Sequence, residues 1–392
     1  MAISAKELPL GKVFTPDFRF TIPSFQRAYI WKTENILQLV SDLDDACKSP
    51  GTPYFLGSLI LVREGDNRYD VIDGQQRLVS LSIIIAVLRD LERDPDLMRQ
   101  LDALLVEPGD KLRGIVTEPR LTLRERDAAF FREHVQEDNL ESVFDMNDDD
   151  LATAAQRNIV ANIRKTYDEI SNWSDAERQQ FAQYLVNEVT LVIVTTDDLD
   201  GAHRIFDVMN MRGLPLTSSD VFKARATAGL STAELDVYAA RWDDIIDPIG
   251  DDPHDCEEFF AYLHLVLTHK PATDKLIEDF LADVLQPYID KGTVPTFINQ
   301  VLAPYAMAWR IIARPSDTVL PAEVRSRLEG LDDYRSHEWK PVAMWALVNS
   351  YRGLGDADLS PFVVRASRIA RTTATLESFC LLYTSDAADD SL

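Results

Sequence analysis

Five residues, Asp73-Gly74-Gln75-Gln76-Arg77, stand where the chain changes its hydrophobic period, and that change constrains the fold on both sides. Before them, residues 55–62 and 69–72 read as two strands joined by the turn-rich Glu64-Gly65-Asp66-Asn67. After them, Leu78, Leu81, Ile85 and Leu88 recur at helical spacing. The pentapeptide is therefore a strand-to-helix corner with a glycine in it. Such a corner presents backbone N–H groups at a helix N-terminus, which is an anion site. The Arg77 guanidinium and the Gln75 and Gln76 amides are suited to fork onto phosphate oxygens there. The plainer alternative is an Asp-Gly hairpin turn with Arg77 solvated on the first helical turn.

Two further clusters carry donors of the same kind. Pro23-Ser24-Phe25-Gln26-Arg27-Ala28-Tyr29-Ile30-Trp31 sets an amide and a guanidinium among aromatics, just ahead of an amphipathic helix marked by Ile36, Leu39, Val40 and Leu43. The third cluster runs from Ala202 to Thr217 and leads into Asp220 and Lys223. In it Ala202, Ile205, Phe206 and Met209 share one helical face, and Gly213 is placed as a C-terminal cap. Asn210 and Arg212 are thereby exposed at a helix end. Thr217-Ser218-Ser219-Asp220 matches a capping box, so capping and a functional role both stand open for Thr217 and Asp220.

Residues 189–195 form a β-branched run expected to be a buried strand that returns to the sheet begun by residues 55–72. That return would bring the third cluster against the second. Residues 95–188 are mainly helical in pattern, with a strand candidate at 120–123. From about Ala226 the pattern is helical alone. Leu235, Tyr238, Trp242 and Ile245, then Phe259, Phe260, Leu263 and Val266, then Leu302, Tyr305 and Trp309 mark successive apolar faces.

At 392 residues, two or three domains are expected. No run approaches the roughly 18 apolar residues of a membrane span, and the first residues carry no signal-peptide stretch, so a cytoplasmic protein without membrane contact is expected. Cys47, Cys256 and Cys380 show no CxxC pairing and no metal spacing to histidine. The net charge of −25 bears on partners. Proteins that grip DNA over a broad face show a basic patch, so any nucleic-acid contact here is expected in a local cleft. A nucleoside triphosphate with a divalent cation is at least as natural a ligand. Acidic runs such as Asp148-Asp149-Asp150 read as solvated surface.

Taken in order, residues 22–31, Tyr54-Phe55-Leu56-Gly57-Ser58, residues 73–78, Arg120-Leu121-Thr122-Leu123 and the block from Ile205 to Lys223 resemble the N-terminal domain of GmrSD-type restriction endonucleases, shared with phosphorothioate-sensing SspE-type proteins. The resemblance implies an α+β fold: a small mixed ParB/sulfiredoxin-like sheet with helices and a helical insert over residues 1–225, followed by an all-α domain over 226–379. It implies a nucleotide-dependent sensor, with NTPase activity, in a modification-dependent anti-phage DNA restriction system. Asp73, Gln76 and Arg77 are then the catalytic candidates, and Asp73 either holds a divalent cation, expected to be magnesium, or caps the helix. Gln26, Arg27, Gly74, Gln75, Asn210, Arg212 and Lys223 are the nucleotide-binding candidates. The alternative is a non-hydrolysing DNA-binding module for modified DNA, in which Tyr29 and Trp31 stack on a flipped base unless they pack in the core. The base, the DNA modification and the oligomeric state, a homo-oligomer included, stay open.

Cys380 through Asp389 reads as a translated sequencing adaptor, against the alternative of a native acidic tail, so residues 380–392 are set aside and the natural sequence is expected to stop being represented near Phe379. An HNH-type nuclease domain, which commonly follows in the resembled family, is expected to be missing. His337-Glu338-Trp339-Lys340-Pro341 is the nearest candidate for one and lacks the second half of such a motif.

Overall fold

The computed structural model describes residues 3–49, 51, 53–109, 112, 116–137, 139–197, 217–250, 253–317, 322–332, 337 and 339–351. It divides into two units, Met1–Pro215 and Leu216–Leu392.

The first unit is built on a six-stranded mixed sheet. Its strands are β1 (Ser4–Pro9), β2 (Arg19–Thr21), β3 (Tyr54–Arg63), β4 (Arg68–Asp73), β7 (Leu121–Thr122) and β8 (Val189–Thr196), in the order β1-β8-β3-β4-β2-β7. Two short strands, β5 (Val106–Glu107) and β6 (Glu118–Pro119), pair separately. β3 and β4 form the expected antiparallel hairpin, closed by the Glu64 N–H on the Arg68 carbonyl at 3.0 Å. The β-branched run at 189–196 does return to this sheet, parallel to β3, with Tyr54 opposite Val189 and Val62 opposite Thr196. β7 lies on β2, which in turn lies parallel to β4.

The connecting helices are α1 (Leu10–Val13), α2 (Thr33–Cys47), α3 (Gln75–Leu91), α4 (Pro95–Leu105), α5 (Glu125–Phe131), α6 (Ala154–Ser171) and α7 (Asp175–Asn187). α3 is apolar nearly all round, and every residue from Leu78 to Arg89 is buried. A helix of that composition must lie inside its domain. It shares one core with Leu59, Leu61 and Val71 of the sheet and with Ile159 and Ile163 of α6. The expected stripe of α2 (Ile36, Leu39, Val40, Leu43) is the face that α2 buries.

Near the C-terminal end of α3, Arg89 is buried with its charge paired and its other Nη donors spent on carbonyls, while its Nε has no partner. It donates to Asp102 Oδ1 at 2.8 Å and to the backbone oxygens of Val135, Gln136 and Glu137 at 3.2, 2.9 and 2.9 Å. A buried guanidinium is tolerated only with such partners. Arg89 thus ties α3 to α4 and to the end of the π-helix Arg132–Gln136 that continues α5.

The described residues of the second unit are helical throughout, from Ser218–Thr227 and Thr232–Ile246 to Trp339–Tyr351. Their core is aromatic: Trp242, Phe259, Phe260, Phe280, Phe297 and Trp309 are all buried. The helix starting at Ser218 settles the Thr217–Asp220 alternative toward capping. The Thr217 N–H donates to Asp220 Oδ2 at 3.0 Å, and the Asp220 N–H donates to Thr217 Oγ1 at 3.2 Å.

One carboxylate in the sheet is out of balance with its surroundings. Burial in β4, reinforced by the Glu64 charge, pushes the Asp70 carboxyl up to about 6, from 3.8 when free. A carboxyl whose folded value lies above its unfolded one favours the fold while both states are protonated, and that advantage is lost as pH rises through 6. Asp70→Asn is therefore expected to raise Tm relative to the parent at pH 7.5 and to leave it close to the parent at pH 4. Thermal melts across that range check the crossover.

Candidate functional site

The corner between β4 and α3 depends on Gly74. Its φ of +94° is left-handed, and a Cβ there would overlap the Leu59 Cδ2 methyl and lie 3.2 Å from the Ser58 carbonyl oxygen. Only glycine meets both conditions without displacing the hairpin. Gly74 is also the N-cap of α3, and having no side chain it leaves the N–H groups of the first turn without a side-chain cap. The sequence thus sets the positive end of a 17-residue helix at a corner whose N-cap residue has no side-chain acceptor.

Gln76, on the first turn, is engaged with backbone. Its Oε1 accepts from the Ile30 and Trp31 N–H groups at 2.9 and 3.2 Å, and its Nε2 donates to the Ala28 carbonyl at 2.9 Å. Residues 28–31 belong to no strand, so their polar backbone groups need side-chain partners. α6 supplies others. Asn158 Nδ2 donates to the Tyr29 carbonyl at 3.2 Å, and Asn162 Nδ2 donates to the Trp31 carbonyl and to the Tyr29 hydroxyl, each at 2.8 Å. The Tyr29 hydroxyl also lies 2.7 Å from Ser80 Oγ of α3. Tyr29 is 5% exposed, and burial holds its phenol well above the usual range. Its surroundings support the core-packing alternative rather than base stacking. Trp31 is half-buried against the same core.

These staples bring the first two clusters together. Arg27, Tyr29, Gln75 and Gln76 line one narrow cleft, closed on its apolar side by Ile22, Val79 and Leu123. Two residues that sequence reasoning missed complete it, Arg124 and Asp127. Both are buried, with Arg124 Nη2 3.2 Å from Asp127 Oδ2. Arg124 Nη1 also donates to the Gln26 carbonyl at 3.4 Å, and Thr153 Oγ1 donates to Asp127 Oδ1 at 2.7 Å. In sequence, Arg124-Glu125-Arg126-Asp127 reads as a solvated charge run. The one available signal was its position directly after the strand candidate at 120–123.

Arg77 takes the other flank of the corner. Its guanidinium packs on Gly57, where a Cβ would stand 3.2 Å from Nη1, and donates to the Ser58 carbonyl. Gly57 has a φ of +118° at the irregularity of β3, which makes room for it. Neither Arg77 nor the half-buried Asp73 lines the cleft. Gln26 is buried beside it. Lys223 belongs to the second unit, where it is buried with its Nζ 2.8 Å from Asp243 Oδ1. Asn210 and Arg212 lie outside the described residues. Among the described residues there is no group of three or more His, Cys, Asp or Glu side chains able to hold a metal ion.

If Gln76 positions residues 28–31, then Gln76→Leu strands three backbone groups and is expected to cost about 2–4 kcal/mol in urea unfolding. Hydrogen exchange gives the local signature: the Ile30 and Trp31 amides should exchange faster, while those of β8 keep their protection.

A search of curated proteins found no match. The model of the family described as "GmrSD restriction endonuclease, N-terminal domain" matches residues 10–227, more than half of the chain and all of the cleft. The match embraces the glycine corner, the stapled segment and the buried Arg124–Asp127 pair, so the chain belongs to the GmrSD restriction endonuclease N-terminal domain family.

Proposed function

We propose that this chain is the nucleotide-dependent sensor, with nucleoside triphosphatase activity, of a modification-dependent DNA restriction system directed against phage. The observation that carries the reading is the convergence of Arg27, Arg124 and Gln75 beside the uncapped N-terminus of α3. Oriented N–H groups with two guanidiniums make a phosphate-type site, and charge-assisted bonds of this kind are the stronger ones in proteins. The restriction family supports a link to DNA. Kinship of the small mixed sheet with the ParB/sulfiredoxin type is part of the same proposal.

In this reading the phosphates lie at the first turn of α3, with Arg27 and Arg124 on one flank and Arg77 on the other. Gln76 acts through residues 28–31, whose backbone it fixes. A divalent cation would be held by Asp73 together with phosphate oxygens. Magnesium is commonly bound in this way, through one or two carboxylates plus substrate phosphates. Bound there, the cation would neutralise phosphate charge during hydrolysis. Asn210 and Arg212 remain proposed contributors to nucleotide binding.

The test is nucleotide binding and turnover by the 392-residue chain, with and without modified and unmodified DNA. Arg27→Ala is expected to weaken nucleotide affinity by about 10-fold or more, the loss of one charge-assisted contact. Arg77→Ala is expected to lower turnover in a folded protein. Binding of modified DNA by a chain that neither binds nor hydrolyses nucleotide would replace this reading with that of a non-hydrolysing DNA-recognition module.

A further inference from the structure

One residue that lines the cleft carries a buried polar atom without a partner. Gln75 is 6% exposed and lines the cleft, and its Oε1 has no hydrogen-bond partner. A buried acceptor without a partner is costly, and at a candidate site it points to the group that belongs there. We propose that this part of the cleft receives a ribose hydroxyl of the bound nucleotide, with Gln75 Oε1 as its acceptor, so that the site selects ribonucleotides over deoxyribonucleotides. The inference rests on the nucleotide reading and goes beyond it in assigning a sugar subsite and a specificity residue.

Three physical constraints lead to a hydroxyl. First, a carbonyl oxygen only accepts, so the entering group must donate. Ionised phosphate oxygens only accept and are excluded from this position. Second, the space inside is about that of one water molecule. A base or sugar ring does not enter, but a single projecting group does. Third, the polar lining is mixed: Arg27 and Arg124 donate, whereas Gln75 Oε1 and Asp127 accept. A hydroxyl both donates and accepts, so it answers both kinds of neighbour. An exocyclic amino group would turn N–H bonds toward two guanidiniums. The hydroxyl also fits the neighbourhood, since the sugar of a nucleotide lies next to the phosphates that the α3 N-terminus would hold.

Titration calorimetry on the full chain tests this with each ribonucleoside triphosphate and its 2′-deoxy and 3′-deoxy counterparts. One of the two deoxy forms should bind about 3- to 10-fold more weakly, the worth of one hydrogen bond. The difference should vanish in Gln75→Ala and persist in Gln75→Glu, which keeps an acceptor at the same place; circular dichroism and melting curves confirm that both variants fold. If Gln75→Ala fails to fold, Gln75→Leu replaces it. Equal binding of the ribo and both deoxy forms would overturn the sugar subsite and leave the nucleotide reading standing. Discrimination that survives in a folded Gln75→Ala would overturn Gln75 as its source. A preference for GTP over ITP, with no loss on removing either hydroxyl, would reassign the slot to a base amino group. No binding of any triphosphate would overturn both the subsite and the reading beneath it.

Discussion

The first unit depends on a steric exclusion at one residue. Because the Leu59 methyl and the Ser58 carbonyl fill the space where a side chain on residue 74 would go, the hairpin β3–β4 presses directly on the start of α3. That closeness lets a single residue do two things. It reverses the chain from strand to buried helix, and it leaves the helix N-terminus without a capping side chain. Most helices satisfy their first N–H groups with a Ser, Thr, Asp or Asn at the N-cap. Here that means is removed by geometry, and the first turn has no N-cap side chain to satisfy its N–H groups.

The same trade recurs in the segment that faces α3. Residues 28–31 take no part in the sheet, yet Tyr29 is buried, so their backbone groups rely on Gln76, Asn158 and Asn162. Side-chain staples hold an irregular backbone at fixed height above α3 and leave Arg27 beside Gln75. Such networks are fully satisfied or costly, and this one is nearly complete. Asn162 Oδ1, in the interior, is without a partner, and so is Oε1 of Gln75, a residue that lines the cleft.

How much of this could be read from the sequence follows from the range of each interaction. The corner, the β3–β4 hairpin, the α2 stripe and the return of residues 189–196 are set by local period and turn residues, and the structure has them within a residue or two of the expected bounds. The convergence of the first two clusters was legible because both carry donors flanking apolar runs. Side-chain allegiance was not. Nothing local says that Gln75 turns to the cleft while Gln76 turns to residues 28–31, or that Arg77 is drawn to the Gly57 bulge. Those choices depend on partners 19 to 48 residues away. Arg124 and Asp127 were missed for the opposite reason. Charged residues at i and i+3 are ordinarily a surface pair, and only tertiary burial marks this pair as part of the site.

The surplus of acid acts differently on ligands of different extent. With a net charge of −25, the protein repels polyanions at long range, and a duplex laid across its surface would meet that repulsion along its length at one phosphate charge per roughly 1.7 Å of axis. On the proposed reading, a compact anion at the first turn of α3, beside the cleft, meets a different balance. Exposed charges beyond about 8 Å are largely screened at physiological salt, while the partly buried guanidiniums of Arg27 and Arg124 act at contact with less screening. Negative charge on the outside and paired guanidiniums within therefore do not conflict. On the proposed reading they favour small anions over non-specific duplex, and any engagement of DNA depends on specific local contacts rather than on bulk attraction.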